Sequence, residues 1–133
     1  MTSPTDIDSP GQPQALSLKR DPSSLKFLGR RLAEPTGATV SMLIDGQEQP
    51  LPLHLDLRNH SPTGFEWGYP GSGPAQLALA MCAELVDDWH AQRVYQLVKI
   101  WLISSIPQSN EQWQLTGTQV HGAILEALKV LAK

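Results

Sequence analysis

The order of apolar and polar positions separates a sparsely patterned start from a densely patterned remainder. Residues 38–44 alternate, with Val40, Met42 and Ile44 on one side and Thr39, Ser41 and Leu43 on the other. A period of two places alternate side chains on opposite faces, so this stretch is predicted as a half-buried strand. Residues 25–32 alternate less regularly and are predicted as the strand before it, with Pro35-Thr36-Gly37 as the intervening turn. Asp45 and Gly46 both tolerate positive φ, a strong hairpin signal. Beyond them Leu51, Leu53, Leu55 and Leu57 alternate with Pro52, His54 and Asp56, which predicts a third strand from about 47 to 57. Pro50 and Pro52 each lack a backbone donor, so that strand is confined to a sheet edge or broken.

The period then lengthens. Between residues 75 and 86 only Gln76 and Glu84 are polar. A helix apolar on nearly every side is buried on nearly every side, so this one is predicted at the centre of the fold or in an oligomer interface. Pro74 suits its first turn, with Ser72 or Gly73 as cap. Asp87-Asp88-Trp89-His90 is read as a separator before a second helix at about 91–105. There Val94, Leu97, Val98, Trp101 and Leu102 make an apolar face, Gln92, Arg93, Gln96 and Lys99 a wet one, and Pro107 the stop. Trp113-Gln114-Leu115 is a candidate short strand. Thr116 with Gln119 has the spacing of a capping box before a last helix that carries Val120, Ala123, Ile124, Ala127, Leu128 and Leu131 on one stripe. The prediction is an α/β chain of the α+β kind: an antiparallel sheet of about three strands packed on three helices, with the helix at 75–86 central.

Composition sharpens the boundaries. Residues 1–23 hold Pro4, Pro10, Pro13 and Pro22, and their only apolar side chains after Met1 are Ile7, Ala15, Leu16 and Leu18. Such a segment buries too little surface to offset its ordering entropy, so 1–23 is predicted as a disordered tail and 24–133 as a single compact domain. The rival reading of the tail is a partner-binding arm around 15–20. The formal charge of −3 comes without a basic stripe, which disfavours nucleic acid. No leader pattern appears in residues 1–20, and no apolar run reaches the roughly 18–20 residues of a membrane span. The expectation is a cytoplasmic protein that does not engage the membrane. One cysteine, Cys82, excludes an internal disulfide and any multi-cysteine metal site.

The stretch with the most particular chemistry is Phe65-Glu66-Trp67-Gly68-Tyr69-Pro70-Gly71-Ser72-Gly73-Pro74, which runs straight into the central helix. Free N–H groups at a helix start attract anions. The loop at 68–74 nevertheless lacks the lysine and hydroxyl of a P-loop and the dinucleotide fingerprint, so it reads mainly as a structural turn. Glu66 between two aromatics has the apolar setting a general acid uses; the competing reading is an ion pair with Arg58, Arg30 or Arg31. His54, Asp56 and His60 are ligand types for zinc, but their spacing matches no established site, so no metal is assigned. Cys82, inside the most apolar helix, reads as core. Trp89, Trp101 and Trp113 lie on different elements without interleaved cations, which argues against a base-stacking platform.

That stretch, carried on through Ala75-Gln76-Leu77-Ala78-Leu79-Ala80, together with Leu55-Asp56-Leu57-Arg58-Asn59-His60-Ser61-Pro62-Thr63-Gly64, resembles a family of small bacterial and phage-type proteins classed as a domain of unknown function. Supporting matches are Gly29-Arg30-Arg31, Tyr95-Gln96 with Lys99, and Trp113-Gln114-Leu115-Thr116, so the resemblance spans roughly residues 25–131. It implies a shared fold and a phage or mobile-element setting, and no activity. Pro70 stands where the resemblance leads one to expect another glycine, which stiffens the loop and removes a donor. The function expected is that of a non-enzymatic accessory protein that binds another macromolecule, most naturally a protein, with no cofactor and no catalytic residue; a homo-oligomer is compatible with it. Its binding residues are expected among Arg58, His60, Glu66, Trp67, Tyr69 and Ser72. The alternative is a small-ligand domain or enzyme that uses the loop at 68–74 as an anion site with Arg58, His60 and Glu66.

Overall fold

The computed structural model of the protein describes residues 15–33 and 37–133. It is α+β. Strands β1 (Leu25–Leu32), β2 (Gly37–Ile44), β3 (Gln47–Pro50) and β4 (Gln112–Thr116) form one antiparallel sheet in the order β3-β2-β1-β4. Three α-helices follow or interrupt them: α1 (Ser72–Leu85), α2 (Asp88–Val98) and α3 (Gly117–Leu131). The sheet has one strand more than the three counted firmly from the sequence, because the short segment at 113–115 pairs with β1.

The hairpin follows its sequence signals. Asp45 and Gly46 take φ of 49° and 86°, the positive pair that a two-residue hairpin turn demands. The turn expected at Pro35-Thr36-Gly37 lies outside the described residues except for Gly37. Val40 and Met42 point inward beside Leu25 and Phe27, while Thr39, Ser41 and Leu43 lie on the other face. The third strand stops at Pro50, seven residues short of the expected end. Leu51 still donates its N–H to Val40 O at 3.1 Å, but Pro52 has no N–H to extend the ladder and His54 turns the chain with a left-handed φ of 57°. Leu51, Leu53 and Leu57 nevertheless pack on the core from this irregular segment.

Helix α1 is buried at every position from Gly73 to Leu85. It packs on α2 and α3, and its apolar side chains join those of the sheet in one core cluster. Helix α2 begins at Asp88, inside the expected separator, because Asp87 acts as its N-cap and accepts from the N–H of His90 at 2.9 Å. It continues into a π turn, Lys99–Ile103, in which Ser104 N–H donates five residues back to Lys99 O at 2.8 Å. Helix α3 carries the capping box of Thr116 and Gln119 and lies under β1 and β4. Gly29 is what allows β1 and β4 to close against the core. Its cross-strand partner is Trp113, whose indole lies on the glycine backbone where any Cβ would collide.

Residues 1–14 of the expected tail lie outside the described residues. Residues 17–24, also assigned to the tail or its margin, are hydrogen-bonded to the rest of the chain. Leu18 bridges Val86, Lys19 N–H donates to Leu85 O at 2.8 Å, and Asp87 N–H donates to Ser17 O at 2.9 Å. This segment is anchored by backbone pairing and charge, which its few apolar residues do not announce: Leu18 itself is half exposed, while Arg20 reaches Glu84 and Lys19 reaches Asp88.

Candidate interaction surface

The two polar residues of α1 decide how the irregular segment between β3 and α1 is held. Burying an amide without partners costs a few kcal/mol, so a buried glutamine must be satisfied. Gln76 is fully buried and uses its whole amide. Its Oε1 accepts from the N–H of His60 at 2.7 Å and of Ser61 at 3.0 Å, and its Nε2 donates to Leu53 O at 2.6 Å and Arg58 O at 3.0 Å. Glu84, two turns on, receives Nε2 of His54 on one oxygen and Arg20 on the other, with Arg20 Nη2 at 3.0 Å. The hydrogen bond from His54 holds the Glu84 carboxyl below its ordinary range; burial opposes this and Arg20 adds to it. Sequence reasoning noted both residues as the only polar ones in the helix but did not pair them. The available signal was that solitude: a polar residue in an otherwise apolar helix must reach a partner across the fold. Asp87 was missed in the same way. Burial raises its carboxyl, but hydrogen bonds from Ser17 and His90 outweigh that and leave it lowered.

These contacts separate the residues expected to share a site. His60 Nε2 is hydrogen-bonded to Tyr95 Oη at 2.7 Å, toward α2. The Arg58 side chain is exposed, and the residue is held through its backbone, with its carbonyl accepting from Gln76 and its N–H donating to His54 O. Glu66 lies at the other end of the segment in an ion pair with Arg31, 2.9 Å from Nη1. Arg31 was one of the partners named for it. The guanidinium also stacks 4.2 Å above the Trp67 ring and donates Nε–H to Gln108 O at 3.0 Å. Trp67 is fully buried and meets Trp113 edge to face, 5.4 Å between centroids. Of the residues weighed as zinc ligands and not assigned, His54 turns to Glu84 and His60 to Tyr95. Among the described residues no three His, Cys, Asp or Glu side chains are grouped to hold a metal. Cys82 is fully buried, and burial pushes its thiol well above the ordinary range.

The glycine-rich loop is wedged between neighbours. Gly68 has φ of 89°, and a Cβ there would stand 2.5 Å from Gln108 Cα. Its N–H donates to Ile103 O at 3.1 Å, inside the π turn. A Cβ on Gly73 would stand 2.7 Å from Glu66 Cβ, and the Tyr69 ring lies against Gly71. The start of α1 is poorly arranged for an incoming anion. Its N-cap, Gly71, has no side chain to cap with, Pro74 brings no N–H, and the Glu66 side chain packs on Gly73. Ser72 is exposed in the first turn and is not the N-cap. Three surface depressions, of about 390, 420 and 270 Å³, are lined by strand, turn and hairpin residues and by none of the six candidate binding residues.

What the loop and the π turn do present is apolar. Tyr69 is 37% exposed, and its carbonyl accepts from Ser104 Oγ at 3.4 Å. Ile100, one turn before Ser104, is 54% exposed, and Trp101 is 37% exposed. The loop and the turn are joined at Gly68–Ile103 and Tyr69–Ser104, so these three side chains sit on two segments tied to each other.

A family of unknown function, DUF6166, matches residues 27–126, which include all of the sheet but the first two residues of β1, together with α1, α2 and most of α3. The chain belongs to this family. The match confirms the resemblance to a domain of unknown function and takes in both the loop at 68–74 and the π turn. The anchored segment at 17–24 lies outside it. No curated protein and no solved structure matches the chain. No helix among the described residues is long and apolar enough to cross a membrane.

Proposed function

We propose that the protein is a non-enzymatic accessory protein of the cytoplasm that binds another protein, with Tyr69, Ile100 and Trp101 at the centre of the contact. The observation that carries this reading is the exposure of these three side chains on two segments hydrogen-bonded to each other. Tyrosine and tryptophan are enriched where interfaces concentrate their binding energy, and large apolar groups on preordered backbone bind at low entropic cost. The other candidate residues support the surface from behind: Trp67 and Glu66 fix the loop through Arg31, and His60 and Arg58 close the segment before it onto Gln76. Ser72 is an exposed polar neighbour at the rim. The phage or mobile-element setting implied by the family resemblance belongs to the same proposal.

Native mass spectrometry of the protein purified gently from its host tests this. Wild type is expected to carry a stoichiometric protein partner. The double variant Tyr69→Ser, Trp101→Ser should keep its fold, because both sites are partly exposed, and should lose that partner. Wild-type protein that carries a small anion in place of a protein would overturn the reading in favour of the loop at 68–74 as a ligand site.

A further inference from the structure

The two edges of the sheet differ in their chemistry. At one edge β3 ends in Pro50, which has no N–H, and carries Glu48, whose carboxylate is held by Arg30 at 2.7 Å and by Ser41. Proline and charge are the usual means of preventing one edge from pairing with another. The opposite edge, β4, reads Gln112-Trp113-Gln114-Leu115-Thr116 and has neither, and its register with β1 runs without a bulge from Lys26–Thr116 to Arg30–Gln112.

The ladder shows which backbone groups of β4 are free. Arg31 N–H donates to Glu111 O at 2.8 Å, so residue 111 is in a hydrogen-bonded pair with β1. By alternation Trp113 and Leu115 also turn their backbone groups to β1, and Gln112 and Gln114 turn theirs to the open edge. Thr116 offers nothing further there: its N–H donates to Gln119 Oε1 at 2.8 Å, and as N-cap its carbonyl serves the first turn of α3. Among the described residues no other backbone pairing reaches 112 or 114, and both residues are exposed.

From this we infer that β4 pairs antiparallel with β4 of a second copy of the chain, across a two-fold axis at Trp113. In that register Gln112 of each copy lies opposite Gln114 of the other, and the free N–H and C=O groups of both residues are all used. The flanking pair sets Glu111 against Leu115, so no charge meets its like, whereas a β3 pairing would crowd Glu48 carboxylates and waste a donor at Pro50. The four-stranded sheet becomes one continuous sheet of twice the width.

The register supplies the test. Opposed residues of a hydrogen-bonded antiparallel pair have Cα atoms about 5.5 Å apart, within disulfide range. Full-length Gln112→Cys and Gln114→Cys proteins are oxidised mildly, each alone and as an equimolar mixture; Cys82, fully buried, stays silent. A covalent dimer formed by the mixture and by neither variant alone is the expected result. Equal cross-linking of a variant with itself would overturn the register, and no cross-link in the mixture would overturn the pairing. Sedimentation of unmodified wild type needs no substitution. It is expected to show a monomer–dimer equilibrium that Gln114→Pro, tolerated at an edge with outward donors, weakens about tenfold or more. A wild type that stays monomeric at its highest soluble concentration refutes the inference.

Discussion

Replacing Gln76 with leucine removes the amide that fastens residues 53–61 to the central helix while keeping much of its volume. Four hydrogen bonds disappear together: two from backbone N–H groups of His60 and Ser61 and two to the carbonyls of Leu53 and Arg58. At about 1 kcal/mol for each neutral hydrogen bond the loss approaches about 4 kcal/mol. Arg58 is exposed and His60 and Ser61 are half-buried, so water replaces part of that pairing, and the net cost is about 2–4 kcal/mol. For a chain of this size that corresponds to a fall in melting temperature of about 6–15 °C. Thermal unfolding followed by circular dichroism measures the global effect. Amide hydrogen exchange locates it, because His60 and Ser61 lose protection well beyond the rest of the chain. A Gln76→Leu protein that melts within about 2 °C of wild type, with both amides still protected, would refute the claim that this one side chain holds the segment.

Two further predictions concern groups whose roles follow from burial. The Glu84 carboxyl is held below its ordinary 4.5 by His54 and Arg20, so its contribution to stability is complete above that value and is lost as pH falls through the lower folded one. Glu84→Gln should therefore be less stable than wild type at neutral pH and show a flatter loss of stability on acidification, as read by urea unfolding at several pH values; parallel curves would contradict this. Gly68→Ala combines a positive φ with a Cβ 2.5 Å from the Gln108 backbone and should cost at least about 2 kcal/mol, measured by chemical denaturation; a neutral substitution would show that the loop at 68–74 is free to move.

Much of the architecture was legible because it rests on local signals. The β1–β2–β3 hairpins, the burial of α1 and the capping box of α3 are each written within a few consecutive residues, where period, turn chemistry and cap spacing act directly. The early end of β3 was half legible: Pro50 and Pro52 foretold a break, but the leucine alternation continued past it, because Leu51, Leu53 and Leu57 reach the core without strand geometry. The start of α2 and the π turn were not legible. Asp87 looks like linker until His90 is seen to donate to it, and a π turn at the helix end leaves the apolar spacing of Leu97, Trp101 and Leu102 almost unchanged. The candidate surface was read partly. Tyr69 does face outward, whereas Trp67, two residues before it in an extended loop, is covered by Arg31 and Trp113 from strands 36 and 46 residues away in sequence. Those partners, like Arg20 and His54 for Glu84, are brought together only by the fold, and no spacing along the chain encodes them.

The central claim is that Tyr69, Ile100 and Trp101 form a protein-binding surface. Its most direct test is a photo-cross-linking amino acid at position 100, the most exposed of the three, illuminated in the host. The account predicts one dominant covalent adduct with a single protein, absent when the cross-linker is moved to exposed Arg93 on α2 and lost when Tyr69→Ser and Trp101→Ser are added. Adducts of equal intensity from position 93, or a position-100 adduct indifferent to both substitutions, would contradict it.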